Sequence, residues 1–340
     1  MGSIHSFVRE RKTDWMNSPT VDLNSITRLG RQLDPKLRSN QVAIGGAALI
    51  AALASLVAAR QQGSPSSWFI AAGGAGFLSW AVARELDPDH PASAGLAMVL
   101  SVPLLALGRP SILLVVGALM AVRMMAGTVG GRPTIVDVLG IMFLAGVVGA
   151  RPAGFLVVLL LAVGFVVAEG RNRRAGIIAS GIVLAGILGA AIIGSSQIAA
   201  GTGDVPIILV PVLGFALISL SVASVGATTD VGDELLSVER VRLARAAAVM
   251  LVGIATVVLG SAGLAAVSPV AAALVATGFW RLRRTSSPRQ PKRHYLSQVP
   301  HLTQTGSGSL PFPGVWDAAI IPAWTESKTR SSRLQISRSG

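Results

Sequence analysis

From Gln41 to Trp280 the chain is a succession of apolar runs interrupted only by short polar breaks. A water-soluble globule of this length has no room to bury so much apolar surface, so the solvent has to be lipid. Composition agrees: 51% of the 340 residues are hydrophobic, only 13% are charged and the mean hydropathy is +0.63. Soluble domains carry roughly a quarter charged residues. The pattern predicts an all-α fold, a polytopic transmembrane helix bundle.

Breaks near residues 60–67, 84–91, 108–110, 127–133, 150–152, 169–174, 195–204, 226–245 and 260–263 divide the region 41–280 into ten candidate spans. Several are shorter than the ~20 residues that cross the hydrocarbon upright, which calls for local thinning or snorkelling ends. Pro91, Pro110, Pro133, Pro152 and Pro206 mark helix starts, where a missing N–H costs nothing. Residues 1–40 read as a polar N-terminal tail, with a short surface helix over 21–33. Residues 281–340, rich in Ser, Pro, Gly and Arg, read as a disordered basic tail. The first apolar run starts too late for a cleavable signal peptide and is expected to stay as an anchor.

Basic residues set the expected orientation. With the N-terminus in the cytoplasm, 25 of the 29 Lys and Arg fall inside. Only Arg60, Arg109 and Arg151 fall outside, and Arg123 falls within a span. That asymmetry follows the positive-inside rule and puts both tails in the cytoplasm, provided residues 246–280 form two helices and not one. The net charge of +13 is then a matter of topology, and the expected partners are the bilayer and its anionic headgroups at the cytoplasmic face, not nucleic acid. Arginine outnumbers lysine 25 to 4, a bias of GC-rich bacterial coding that suggests the plasma (inner) membrane. Cysteine is absent, which excludes disulfides and thiolate chemistry.

Three packing features stand out. RPSILLVV (109–116) and RPAGFLVV (151–158) align at an offset of 42 residues, so the third and fourth helices read either as a hairpin duplicated in the fifth and sixth or as similar turns in similar hairpins. Gly181, Ala185 and Gly189 form a small-xxx-small stripe, suited to ordinary bundle packing or to a homo-oligomer interface. Pro103 and Pro211 each free a carbonyl, as the broken helices of transporters do, although membrane helices with no moving part carry prolines too.

No nucleotide-binding, zinc-protease or serine-hydrolase motif is present. GAGFLS (74–79) lies inside a span with no preceding strand and is not a dinucleotide fingerprint. Two acidic loops fall on the predicted cytoplasmic face. One carries Glu85, Asp87 and Asp89 with His90 beside them, the other Asp230, Asp233 and Glu234. Such carboxylates either hold Mg²⁺, and through it a phosphate, or balance nearby arginines in solvent. Within the spans Arg123 and Asp137 lie at similar depth on either side of one turn, which predicts an intramembrane charge pair. Aspartate is too short to snorkel and needs a partner or a wet cavity, and an ion- or proton-binding role for Asp137 is the alternative to the pair. Three functions fit. Transport or translocation of a small or amphiphilic solute fits best. The alternatives are a structural or accessory membrane protein, and a membrane-embedded enzyme acting on a lipid-linked (di)phosphate. No cofactor is expected unless the enzyme reading holds, when it is Mg²⁺.

Overall fold

A computed structural model describes residues 27–30, 36–61, 63–170, 172–193, 207–221, 225–229 and 235–286, with side chains to 284. Among them are ten α-helices and no strand beyond one isolated bridge, Thr228 to Leu235. They are α1 (Arg38–Arg60), α2 (Pro65–Leu86), α3 (Pro91–Leu104, continued by a 3₁₀ turn, Leu105–Leu107), α4 (Ile112–Ala126) and α5 (Ile135–Gly149). Then follow α6 (Gly154–Glu169), α7 (Arg173–Ile193), α8 (Leu209–Ser219), α9 (Val238–Ala266) and α10 (Ser268–Ser286). Each apolar run has become a helix. By length and composition α1, α2, α7 and α9 suffice to cross a membrane, while α3 to α6 and α8 are shorter apolar helices.

Local chemistry explains the boundaries. Pro91 occupies the first turn of α3, but Pro110, Pro133 and Pro152 sit two residues before α4, α5 and α6 and lead the chain in. Pro206 lies outside the described residues. Thr134 caps α5 in a reciprocal box with Asp137, which satisfies two otherwise unpaired N–H groups. Gly127 ends α4 in the left-handed conformation (φ 70°), a cap that glycine adopts without the steric cost of a Cβ. Neither interior proline breaks a helix. Pro103 precedes the 3₁₀ turn that ends α3, and Pro211 stands in the first turn of α8, where its N–H is not needed. The real break is at Gly260, whose φ of 61° and ψ of −141° interrupt α9.

Five helices, α1, α2, α3, α8 and α10, pack as one group, and α4, α5, α6 and α7 as another. The groups meet where α2 packs on α4 and where α9 lies against both α4 and α10. The proposed duplication does not extend to packing. α5 and α6 lie side by side, whereas α3 packs on α2 and α10 while α4 packs on α6 and α9. The helix that takes the place beside α3 comes from the far end of the chain, which no local pattern announces.

Small residues bring the helices close. A Cβ at Gly149 would run into Gly186 O, and one at Gly189 into Gly146 O, so α5 and α7 meet backbone to backbone. The Gly181, Ala185, Gly189 stripe is therefore used within the chain, against α5. Outward faces stay apolar: Phe143 is 76% exposed, and Leu49, Leu53, Leu184 and Ile192 are exposed with it. Apolar surface spread over so many helices is what a lipid solvent asks for.

Candidate functional site

Charged residues gather at one end of the bundle, where α2, α4 and α8 finish and α5 and α9 begin. The last four carbonyls of a helix have no partner within it, and they form the negative end of its dipole. Here arginines from neighbouring elements supply the donors. Arg245, the largest side chain that is fully buried, donates from Nε to Leu86 O at the end of α2 (2.6 Å) and from Nη1 to Ser219 O at the end of α8 (2.5 Å). Arg240 donates to Met124 O (2.8 Å) and Met125 O (3.1 Å) in the last turn of α4. Arg281 donates to Ser221 O (2.6 Å), just beyond α8.

The expected pairing of Arg123 with Asp137 is not what forms. Arg123 donates from Nε and Nη2 to Glu85 Oε1 at 2.9 and 2.7 Å, and from Nη1 to Leu29 O at 2.6 Å. Glu85 also accepts from Thr128 Oγ1. Asp137 is saturated elsewhere. It accepts from the Thr134 N–H and hydroxyl, from Thr27 Oγ1 (2.5 Å) and from the N–H groups of Arg28 (3.0 Å) and Leu29 (3.3 Å). The two residues are linked through residues 27–30, since Leu29 offers its carbonyl to one and its N–H to the other. The physical reason is packing: α4 leans on α2, which brings Glu85 to Arg123, while five donors already answer the charge of Asp137. The described part of the predicted N-terminal surface helix is thus a docked strap with Leu29 buried.

The first acidic loop is spent on internal partners. Glu85 and Asp87 are each 1% exposed, not solvated, and Asp87 meets His90 Nδ1 (3.0 Å), Arg245 (3.3 Å) and Arg281 (3.7 Å). Asp89 accepts from the Gly226 N–H at 3.1 and 3.2 Å, which brings this loop beside residues 225–229. Asp230, Asp233 and Glu234 lie outside the described residues. Among the described residues no three His or acidic side chains are placed to hold a metal ion. Glu85, Asp87 and Asp89 diverge, each towards a different cation or amide, so these three do not assemble a Mg²⁺ site.

Two features escaped the sequence reading. Glu169, the last residue of α6, is buried, and among the described residues neither carboxylate oxygen has a hydrogen-bond partner. At the opposite end of the bundle an apolar groove of about 470 Å³ opens between α1, α2 and α3. Leu53, Val57, Trp68, Val102, Leu105 and Ala106 line it. The Arg109 guanidinium lies 5.1 Å from the centre of the Trp68 ring, a cation–π contact that holds a positive charge beside an apolar space. Apolar runs contain no signal for a gap between them, although Arg109 and Trp68 were visible as loop-end residues. Compared with protein-family models, with curated proteins and with solved structures, the chain matches none.

Proposed function

We propose that this is a ten-crossing membrane protein with both tails in the cytoplasm, and that it binds and translocates an amphiphilic, lipid-like solute. The observation that carries the function is the groove beside Arg109. Its volume falls in the range of about 300–1,000 Å³ typical of ligand pockets, its walls are apolar, and a cation stands next to it. An acyl chain suits such walls and an anionic headgroup suits the arginine.

Two further observations support the topology. Residues 27–30 and Arg281 both contact the arginine-rich end, directly or through Asp137 and Asp87. At the other end Ser111 donates to Ala266 O, so α9 leaves the polar end and α10 returns to it. Helices of 14 to 16 residues, such as α3 to α6, reach only ~21–24 Å at about 1.5 Å per residue. The ~30 Å core then thins around them or takes their ends by snorkelling. A plasma-membrane location fits the basic asymmetry and remains part of the proposal.

One observation favours the accessory reading: the buried charges hold helix ends and the 27–30 strap. The enzyme reading has less support, because Glu85, Asp87 and Asp89 already answer internal donors. Reconstitution separates the readings. Liposomes carrying the purified chain and a fluorescent short-chain phospholipid should show dithionite-accessible label rising faster than protein-free liposomes do. Ala106→Trp, which fills the groove, should slow that rise at least several-fold while leaving the purified chain monodisperse. Transbilayer movement equal to that of empty liposomes would sink the transport reading and favour the accessory one.

A further inference from the structure

At the arginine-rich end a cavity of about 40 Å³ lies between residues 27–30, the turn after α4 and the start of α9. Three guanidinium-bearing residues line it, Arg28, Arg123 and Arg240, above the backbone of Gly127, Gly130 and Gly131. Among the described residues no acidic side chain is in its walls. The space takes roughly three waters at about 10–15 Å³ each, which is also the size class of one tetrahedral oxyanion.

Two of the arginines are anchored and still have donors to give. A guanidinium carries five N–H groups. Arg123 uses three on Glu85 and Leu29, and Arg240 uses two on Met124 and Met125. Arg28 is exposed, and among the described residues its guanidinium makes no hydrogen bond or ion pair. The turn has to be bare beneath them. A Cβ at Gly127 would lie 2.7 Å from Arg240 Cζ, and one at Gly131 would run into Arg28 Nη1. Glycine here lets two cations rest on backbone on either side of the space.

We propose that this cavity binds a phosphate group, either the headgroup of an anionic phospholipid or a free phosphate. The planar fork of arginine matches phosphate oxygens, and the forks of Arg28 and Arg240, joined by the donors that Arg123 does not spend on Glu85 and Leu29, form an anion site. The site is at the other end of the bundle from the groove and does not depend on the translocation reading.

The test uses the full chain in neutral detergent at fixed ionic strength, with thermal unfolding followed by tryptophan fluorescence. One arm titrates inorganic phosphate against chloride. The other titrates phosphatidylglycerol against phosphatidylcholine in mixed micelles. The unfolding midpoint should rise saturably in at least one arm. Saturation by inorganic phosphate assigns a free-phosphate site, and saturation by phosphatidylglycerol alone assigns a lipid headgroup. Arg28→Gln should weaken the response about tenfold in half-saturating concentration, as expected for a lost charge-assisted hydrogen bond, with the ligand-free midpoint unchanged. Gly131→Ala, whose Cβ displaces Arg28, should weaken the response as well, here from a lower ligand-free midpoint because Gly131 stands at φ 76°. No saturable rise in either arm overturns the site, as does a wild-type response from both variants.

Discussion

Removing the Glu85 carboxylate would strand the Arg123 guanidinium, which is 7% exposed, with one carbonyl in place of an ion pair. An uncompensated buried charge costs about 3–5 kcal/mol, so Glu85→Ala should lower stability by an amount of that order in reversible unfolding in mixed micelles. Glu85→Ala with Arg123→Ala should cost clearly less than the sum of the singles, because the second substitution removes the stranded charge. Arg123 and Asp137 touch only through Leu29, so a cycle of Arg123→Ala with Asp137→Ala should show a coupling clearly smaller than the Glu85 cycle does. Coupling in that second cycle as large as in the first would mean that the ion pair seen with Glu85 is not the one that matters. Sequence alone made both Arg123 and Asp137 conspicuous, because each is a charge inside an apolar run. It could not supply their partners. Glu85 is 38 residues from Arg123, and three of the five donors to Asp137 come from 108 to 110 residues away, so the match depends on which segments touch.

Helices were legible and their neighbours were not. Apolar runs, helix-leading prolines and glycine stops are local, and α1 to α8 lie where those signals put them. α9 instead begins inside the expected 226–245 break and, kinked at Gly260, runs through the expected 260–263 break to Ala266. Packing order depends on shape, and for α5 and α7 the shape is set by glycine. Gly189→Leu would push a branched side chain into the backbone of Gly146 on α5, whose carbonyl oxygen already stands where a Cβ would go. Overpacking of this kind costs typically 1–3 kcal/mol. The expected result is a lower unfolding midpoint, together with faster proteolysis of the α5–α7 region. Gly176→Leu, where an added Cβ meets nothing within 4 Å, is the control and should be nearly silent. Equal losses from both would show that the α5–α7 contact does not form as described.

At the scale of the molecule the test is one of sidedness. Reporter fusions at Gly201, between α7 and α8, and at Ser286, at the end of α10, should report opposite faces of the membrane. The same face for both would remove the ten-crossing topology. The order in which the chain is made adds a constraint of its own. The first half of α10 is enclosed, with Val270 to Leu274 and Ala276 at 0% exposure, and it packs on α2, α3 and α8. A ribosome delivers it after every helix it has to fit between. Until α10 enters, the nascent protein lacks the helix that fills the space beside α2, α3 and α8, and the Asp87 of Arg245 is not yet shared with Arg281. Premature release therefore leaves an unfinished interior, not a shortened but sound bundle.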